Sequence, residues 1–110
     1  MIYLASPYTH TDPAIELSRY EQVCQQVARL MREGVHVFSP IAHSHGCTKY
    51  GLPGDWDFWQ AIDVEWISMC SELWVLRIDG WAMSRGIAAE IDIANNLGKR
   101  VRYIDPVEEE

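Results

Sequence analysis

The chain has no Cys-x-x-Cys pair, no cluster of lysine and arginine, no internal repeat and no low-complexity stretch. Its three cysteines, Cys24, Cys47 and Cys70, are odd in number, which argues against a disulfide framework or a zinc ribbon and fits a reducing compartment. No apolar run approaches the roughly 18 residues of a membrane span, and Met1-Ile2-Tyr3-Leu4-Ala5 enters strand-like sequence without a basic leader, so a cytoplasmic protein with no membrane partner is expected. Nine basic residues face sixteen acidic ones, for a net charge of -7. Asp105, Glu108, Glu109 and Glu110 carry four of those charges, and removing them leaves -3. An acidic surface without a basic patch lacks the electrostatic footprint of a polymeric nucleic-acid binder.

What is present is average for one globular domain: 110 residues, 48% hydrophobic and 23% charged. Folding a chain this long removes roughly 60 to 70% of its unfolded surface from water, enough for one core and too little for two. The expectation is a single domain over residues 1–105 followed by an acidic tail, 106–110.

Periodicity divides the chain into alternating elements. Residues 2 to 6 are a short apolar run stopped by Pro7, a buried strand. Asp12-Pro13 reads as N-cap and first helical residue, and Tyr20, Val23, Cys24, Val27, Leu30 and Met31 recur at helical spacing up to Gly34. Val35 to Phe38 reads as a second strand, stopped at Ser39-Pro40. Residues 40 to 54, with His43, His45, Gly46, Gly51, Pro53 and Gly54, read as loop. Asp55 caps a second long helix with Trp59, Ile62, Trp66 and Met69 on one face. Leu73 to Ile78 is a third strand and Asp79-Gly80-Trp81 a turn. Ser84 caps a helix striped by Ile87, Ile91, Ala94 and Leu97, and Val101 to Ile104 makes a fourth strand. Helices between strands mean right-handed crossovers, and the expected architecture is an α/β, three-layer, flavodoxin-like or Rossmann-like fold around a mainly parallel sheet of four or five strands. Ligands in such sheets bind beyond the carboxyl ends of the strands, here the loops after Ala5, Phe38 and Ile78.

Several residues near those ends are out of place for a plain core. Glu90 borders the apolar face of its helix, either as an ion-paired structural residue with Arg77 or Arg85 or as a nucleophile in a cleft. Asp63 likewise sits among Trp59, Trp66 and Ile67. Two carboxylates brought into one cleft suit an oxocarbenium-like transition state, one as nucleophile and one handling a proton or a hydroxyl. Ser84 and Gly86 open a helix whose free N–H groups suit an anion, although Ser84 also serves as an ordinary cap. His43-Ser44-His45 has ligand-like spacing, but a metal site needs three or four convergent ligands and none is expected. Five tryptophans are many for this length. Most suit the core or a subunit interface, while Trp56, Trp59 or Trp81 stand where they can stack on a ring. Tyr3 and Tyr8 flank the end of the first strand.

These residues carry a resemblance. Ile2-Tyr3-Leu4-Ala5, Asp63 with Trp66 three residues on, and Ser84-x-Gly86-x-x-x-Glu90 followed by Ala94 and Gly98-Lys99 resemble the nucleoside 2-deoxyribosyltransferase superfamily. The likeness is closest to a small branch with Ser-Pro and Gly-Trp signatures, here Ser39-Pro40 and Gly80-Trp81. The resemblance implies cleavage of an N-glycosidic bond, with Glu90 on the family's nucleophile, Asp63 on its assisting acid and Tyr3 beside the nucleophile. Ser84, six residues before Glu90, resembles the 2′-deoxynucleoside 5′-monophosphate N-hydrolases, because an aspartate there would repel a phosphate. Ser6, Tyr8, His43 and Trp81 complete the expected substrate contacts with Ser84 and Gly86. The first loop, Ser6-Pro7-Tyr8-Thr9-His10, lacks the glycine- and arginine-rich form of those hydrolases, leaving Arg85 or Arg19 to substitute.

The resemblance further implies a homo-oligomer, dimer or tetramer, whose site a neighbouring subunit often completes. The expected function is therefore an N-glycosidic bond hydrolase or deoxyribosyltransferase-like enzyme acting on a nucleotide or nucleoside, without cofactor. A non-catalytic nucleotide-binding or sensing module is the alternative. A flavodoxin-like FMN carrier is suggested only by the Ser6 to Thr11 loop, and a structural subunit would use its tryptophans as interface anchors. The segment 40–58, with His43, His45 and Trp56, is expected to set specificity.

Overall fold

The structure is a computed structural model that describes residues 1–106; the expected acidic tail lies, from residue 107 onward, outside the described residues. In chain order the elements are β1 (Ile2–Ala5), α1 (Pro13–Arg32), β2 (Val37–Phe38), α2 (Pro40–Ser44), a 3-10 helix (His45–Tyr50), α3 (Trp56–Met69), β3 (Glu72–Leu76), a short 3-10 turn (Trp81–Met83), α4 (Arg85–Asn96) and β4 (Arg100–Ile104). The four strands form one all-parallel sheet in the order β2-β1-β3-β4. This is the α/β, flavodoxin-like three-layer arrangement expected, with four strands.

The caps explain where the helices start. Asp12 Oδ1 accepts from the Ala14 N–H (2.9 Å), Asp55 Oδ2 from Phe58 (3.3 Å) and Ser84 Oγ from Ile87 (3.2 Å), each satisfying a donor that the first turn leaves open. Alternation along the strands then separates two apolar layers. Tyr3 and Ala5 of β1 face α3 and α4, together with Leu73, Val75, Ile67, Ile87 and Ala94. Leu4 faces the other way with Leu76, Val23 and Ile78, against α1 and α2. Because β1 neighbours both β2 and β3, the direction of winding reverses between β1 and β3, and the loops at their carboxyl ends splay apart there.

Four expectations change. Residues 40–50 are helical, and only 51–54 keep the loop form expected for 40–54. Ser39 Oγ accepts from the Ala42 N–H (3.0 Å) with Pro40 as first helical residue, so Ser39-Pro40 starts α2 as Asp12-Pro13 starts α1. The second strand is cut to Val37–Phe38, although Ile2 N still donates to His36 O (2.8 Å). On α3 the inward residues are Asp63 and Ile67, and Met69 is exposed, so the helix is rotated away from the stripe that its tryptophans propose. Met31 of α1 is exposed for the same reason, with Gln26 buried in line with Val23 and Leu30.

Candidate functional site

The inward stripe of α4 is Ile87, Glu90 and Ala94, and that of α3 runs through Asp63 and Ile67, the spacings of one helical face. Each stripe therefore carries one carboxylate where an apolar side chain would gain about 1.5 to 3 kcal/mol from burial. Glu90 is 6% exposed and Asp63 7%, and Tyr3, on β1 between them, is fully buried. The Tyr3 hydroxyl donates a hydrogen bond to Glu90 Oε2 and also interacts with Asp63. α4 rises about 1.5 Å per residue, so Glu90 lies only about 6 Å along the axis from Gly86 at the carboxyl edge of the sheet.

The electrostatics follow from that burial. Glu90 is pushed up to about 8, first because burial penalises its charge and then because Asp63 is near; the Tyr3 hydroxyl opposes the rise. Asp63 is pushed up to about 6 by burial, again opposed by Tyr3. Tyr3 is raised above its ordinary value by burial and by both carboxylates, so it stays a protonated donor. Near neutrality the pair shares one proton and one charge. Neither acid has a cation: the ion pairs among the described residues are Arg29–Glu33 and Arg77–Asp105 (2.8 Å). The ion-paired reading of Glu90 with Arg77 or Arg85 is thus replaced by a phenol and a second carboxylate. An acid pair buried without a cation is poor stabilising material and good material for moving a proton.

At the end of β1, Ser6 is 6% exposed and its Oγ has no hydrogen-bond partner, the one such buried side-chain atom among the described residues. A buried hydroxyl left unpaired costs about 1 to 3 kcal/mol. Ser84 Oγ is engaged as the α4 cap, while a Cβ on Gly86 would meet nothing closer than Ser84 Oγ at 3.8 Å, so the backbone there is open to approach. Trp81 is half-buried, packed on the core layer that holds Tyr3 and tilted against Tyr103 at 5.7 Å.

The two histidines diverge. His43 packs on Phe38 (5.7 Å) and Trp66 (5.4 Å), and Phe38 in turn lies 6.2 Å from the Tyr3 ring, which brings His43 to the rim of the acid pair. His45 instead stacks on Tyr20 at 4.0 Å, and its Nδ1 is 2.7 Å from the Tyr8 hydroxyl. Tyr8 is therefore committed to the α1 side and is not brought to Glu90. No group of three or more His, Cys, Asp or Glu among the described residues is placed to hold a metal ion. Trp59 anchors the segment before α3 by donating to Pro53 O (2.9 Å). Sequence reasoning missed the aromatic rim formed by Phe38 and Trp66, because neither residue breaks its local pattern.

The family described as a domain of unknown function, DUF1937, matches residues 1–105. The chain belongs to the DUF1937 family. No curated protein matches it. Membership of DUF1937 brings no activity with it, so the chemistry of this DUF1937 protein is argued from Tyr3, Asp63, Glu90 and Ser6. No helix among its described residues is long and apolar enough to cross a membrane.

Proposed function

We propose that this DUF1937 protein cleaves the N-glycosidic bond of a nucleotide or nucleoside, with Glu90 as nucleophile. The observation that carries the reading is the Tyr3 hydroxyl bonded to Glu90 Oε2 with Asp63 beside it, buried and without a cation. The resemblance to nucleoside 2-deoxyribosyltransferases supports it, since the residues that meet are the ones that it implies.

The chemistry uses the shared proton. Near neutrality the shared proton rests mainly on Glu90; once it has passed to Asp63, the free Oε1 of the charged Glu90 attacks the anomeric carbon while Asp63 protonates the departing base, which takes the electrons of the C–N bond. The Tyr3 O–H favours this arrangement by stabilising a charged Glu90. Asp63, now ionised, takes a proton from water as the water attacks the anomeric carbon, and Glu90 leaves as carboxylate. Free base and free sugar result, and both acids return to their starting state. Ser6, with its unused hydroxyl, and the open backbone at Gly86 are the polar contacts at the sugar end. Trp81 and the His43 rim supply ring surfaces.

The test is release of free base, followed by chromatography, from ribo- and deoxyribonucleosides and their 5′-monophosphates. The wild type is expected to release base from at least one member, and Glu90→Gln to lose at least about a thousandfold in rate while melting like the wild type. Release that persists in Glu90→Gln refutes the mechanism. Binding of a nucleotide without release would move the function to a binding or sensing module.

A further inference from the structure

Between the loop after β1, α1 and the turn after β3 lies a half-open surface pocket of about 350 Å³, lined by His10, Ala14, Ile15, Ser18, Arg19, Gln22, Asp79 and Gly80, of which only Arg19 and Gln22 are half-buried. That is the lower end of the size range of small-molecule pockets. Arg19 is half-buried and ties the loops of the two central strands together. Its Nη1 donates to the carbonyls of Tyr8 (3.4 Å) and Thr9 (3.0 Å), and its Nη2 lies under Gly80 so closely that a Cβ there would overlap it. Among the described residues its Nη2 and Nε donors have no acceptor, and it belongs to neither ion pair.

The other polar groups of the cavity are also mainly donors. His10 Nδ1 accepts from the Asp12 N–H (2.9 Å), which leaves the ring proton on Nε2. Ser18 Oγ accepts from Gln22 (3.3 Å), which leaves its own hydrogen to give. The opposing charge is Asp79, exposed and outside both ion pairs. In a chain of net charge -7, Arg19 is thus a half-buried cation that has no carboxylate partner among the described residues.

The geometry points to an oxyanion subsite in this cavity, in which the Arg19 fork receives the phosphate or carboxylate end of a small molecule. It deepens the proposed function, and rests on it, only in identifying that end as the phosphate of a nucleotide; the pocket's affinity for an oxyanion stands apart from Glu90. The location differs from the α4 N-terminus, where Ser84 is already engaged as a cap.

The test is titration of the ¹⁵N-labelled full chain with inorganic phosphate, and separately with acetate, at constant ionic strength. Phosphate is expected to shift the amides of Ser18, Arg19 and Gly80. Arg19→Gln should weaken that response about tenfold or more, as loss of a charge-assisted hydrogen bond requires. Because Arg19→Gln also removes two loop contacts, the second variant is Asp79→Asn. It removes a like charge from an exposed site and should tighten phosphate about two- to fivefold, which no folding defect would do. Glu90→Gln should leave the response unchanged, so a failed base-release assay and a failed subsite are read separately. A response to acetate alone supports the oxyanion subsite with a carboxylate as its ligand. Shifts confined to Gly86 and Ile87, no response to either anion, or a response indifferent to both substitutions would overturn the inference.

Discussion

Replacing Tyr3 by phenylalanine removes one hydroxyl from the buried face of β1 and tests the electrostatics of the whole site. In the wild type Glu90 is raised from an ordinary 4.5 to about 8, so between those values the folded protein binds a proton that the unfolded chain has lost. Stability from this group is full below about pH 4.5 and is lost as the pH rises through about 8, a span worth about 5 kcal/mol at most. The Tyr3 hydroxyl works against that loss because it stabilises the charged carboxylate. A hydrogen bond to a neutral acid is worth about 1 kcal/mol and one to a charged acid about 1.5 to 3. Tyr3→Phe should therefore cost about 1 kcal/mol at pH 5 and about 2 to 3 at pH 9, and move the Glu90 titration upward by about one pH unit. Urea unfolding at pH 5, 7 and 9, followed by tryptophan fluorescence, measures the difference. Equal losses at pH 5 and pH 9 would show that the hydroxyl does not act on the charge of Glu90.

Asp63→Asn removes the charge that helps hold Glu90 up, so the Glu90 carboxyl carbon should titrate at lower pH by NMR; an unchanged or higher midpoint contradicts the coupling. Ser6→Ala deletes a buried hydroxyl without a partner, so stability should stay level or rise by about 1 kcal/mol while base release falls. A clear loss of stability in Ser6→Ala would mean that the hydroxyl is already satisfied. Gly80→Ala places a side chain at φ +92 against Arg19 and should destabilise by about 1 to 3 kcal/mol. Adding Arg19→Ala should return only the part due to overlap, measured as a double-mutant cycle in urea.

Much of the fold was legible from residue order alone. Short apolar runs and capped helical stripes set out β1, α1, α3, β3, α4 and β4 in a sequence that admits a parallel, three-layer α/β arrangement. Asp12, Asp55 and Ser84 were readable as caps because capping is a contact between near neighbours. Segment 40–50 was not legible, since α2 is only five residues long and never completes a second apolar turn, so its Ser39 cap resembled a strand stop.

The site divides in the same way. Glu90 and Asp63 were visible as acids interrupting apolar stripes, which is a local anomaly, and Tyr3 as a residue near the end of the first strand. That their side chains meet was decided only by tertiary structure, because it requires β1 to lie beside β3 and both α3 and α4 to cover the same face. Arg19 beneath Gly80, the stranded Ser6 hydroxyl and the divergence of His43 from His45 have the same origin. Sequence periodicity determines which side chains turn inward along each element, whereas the order of the strands and the hand of the crossovers determine what each one finds there.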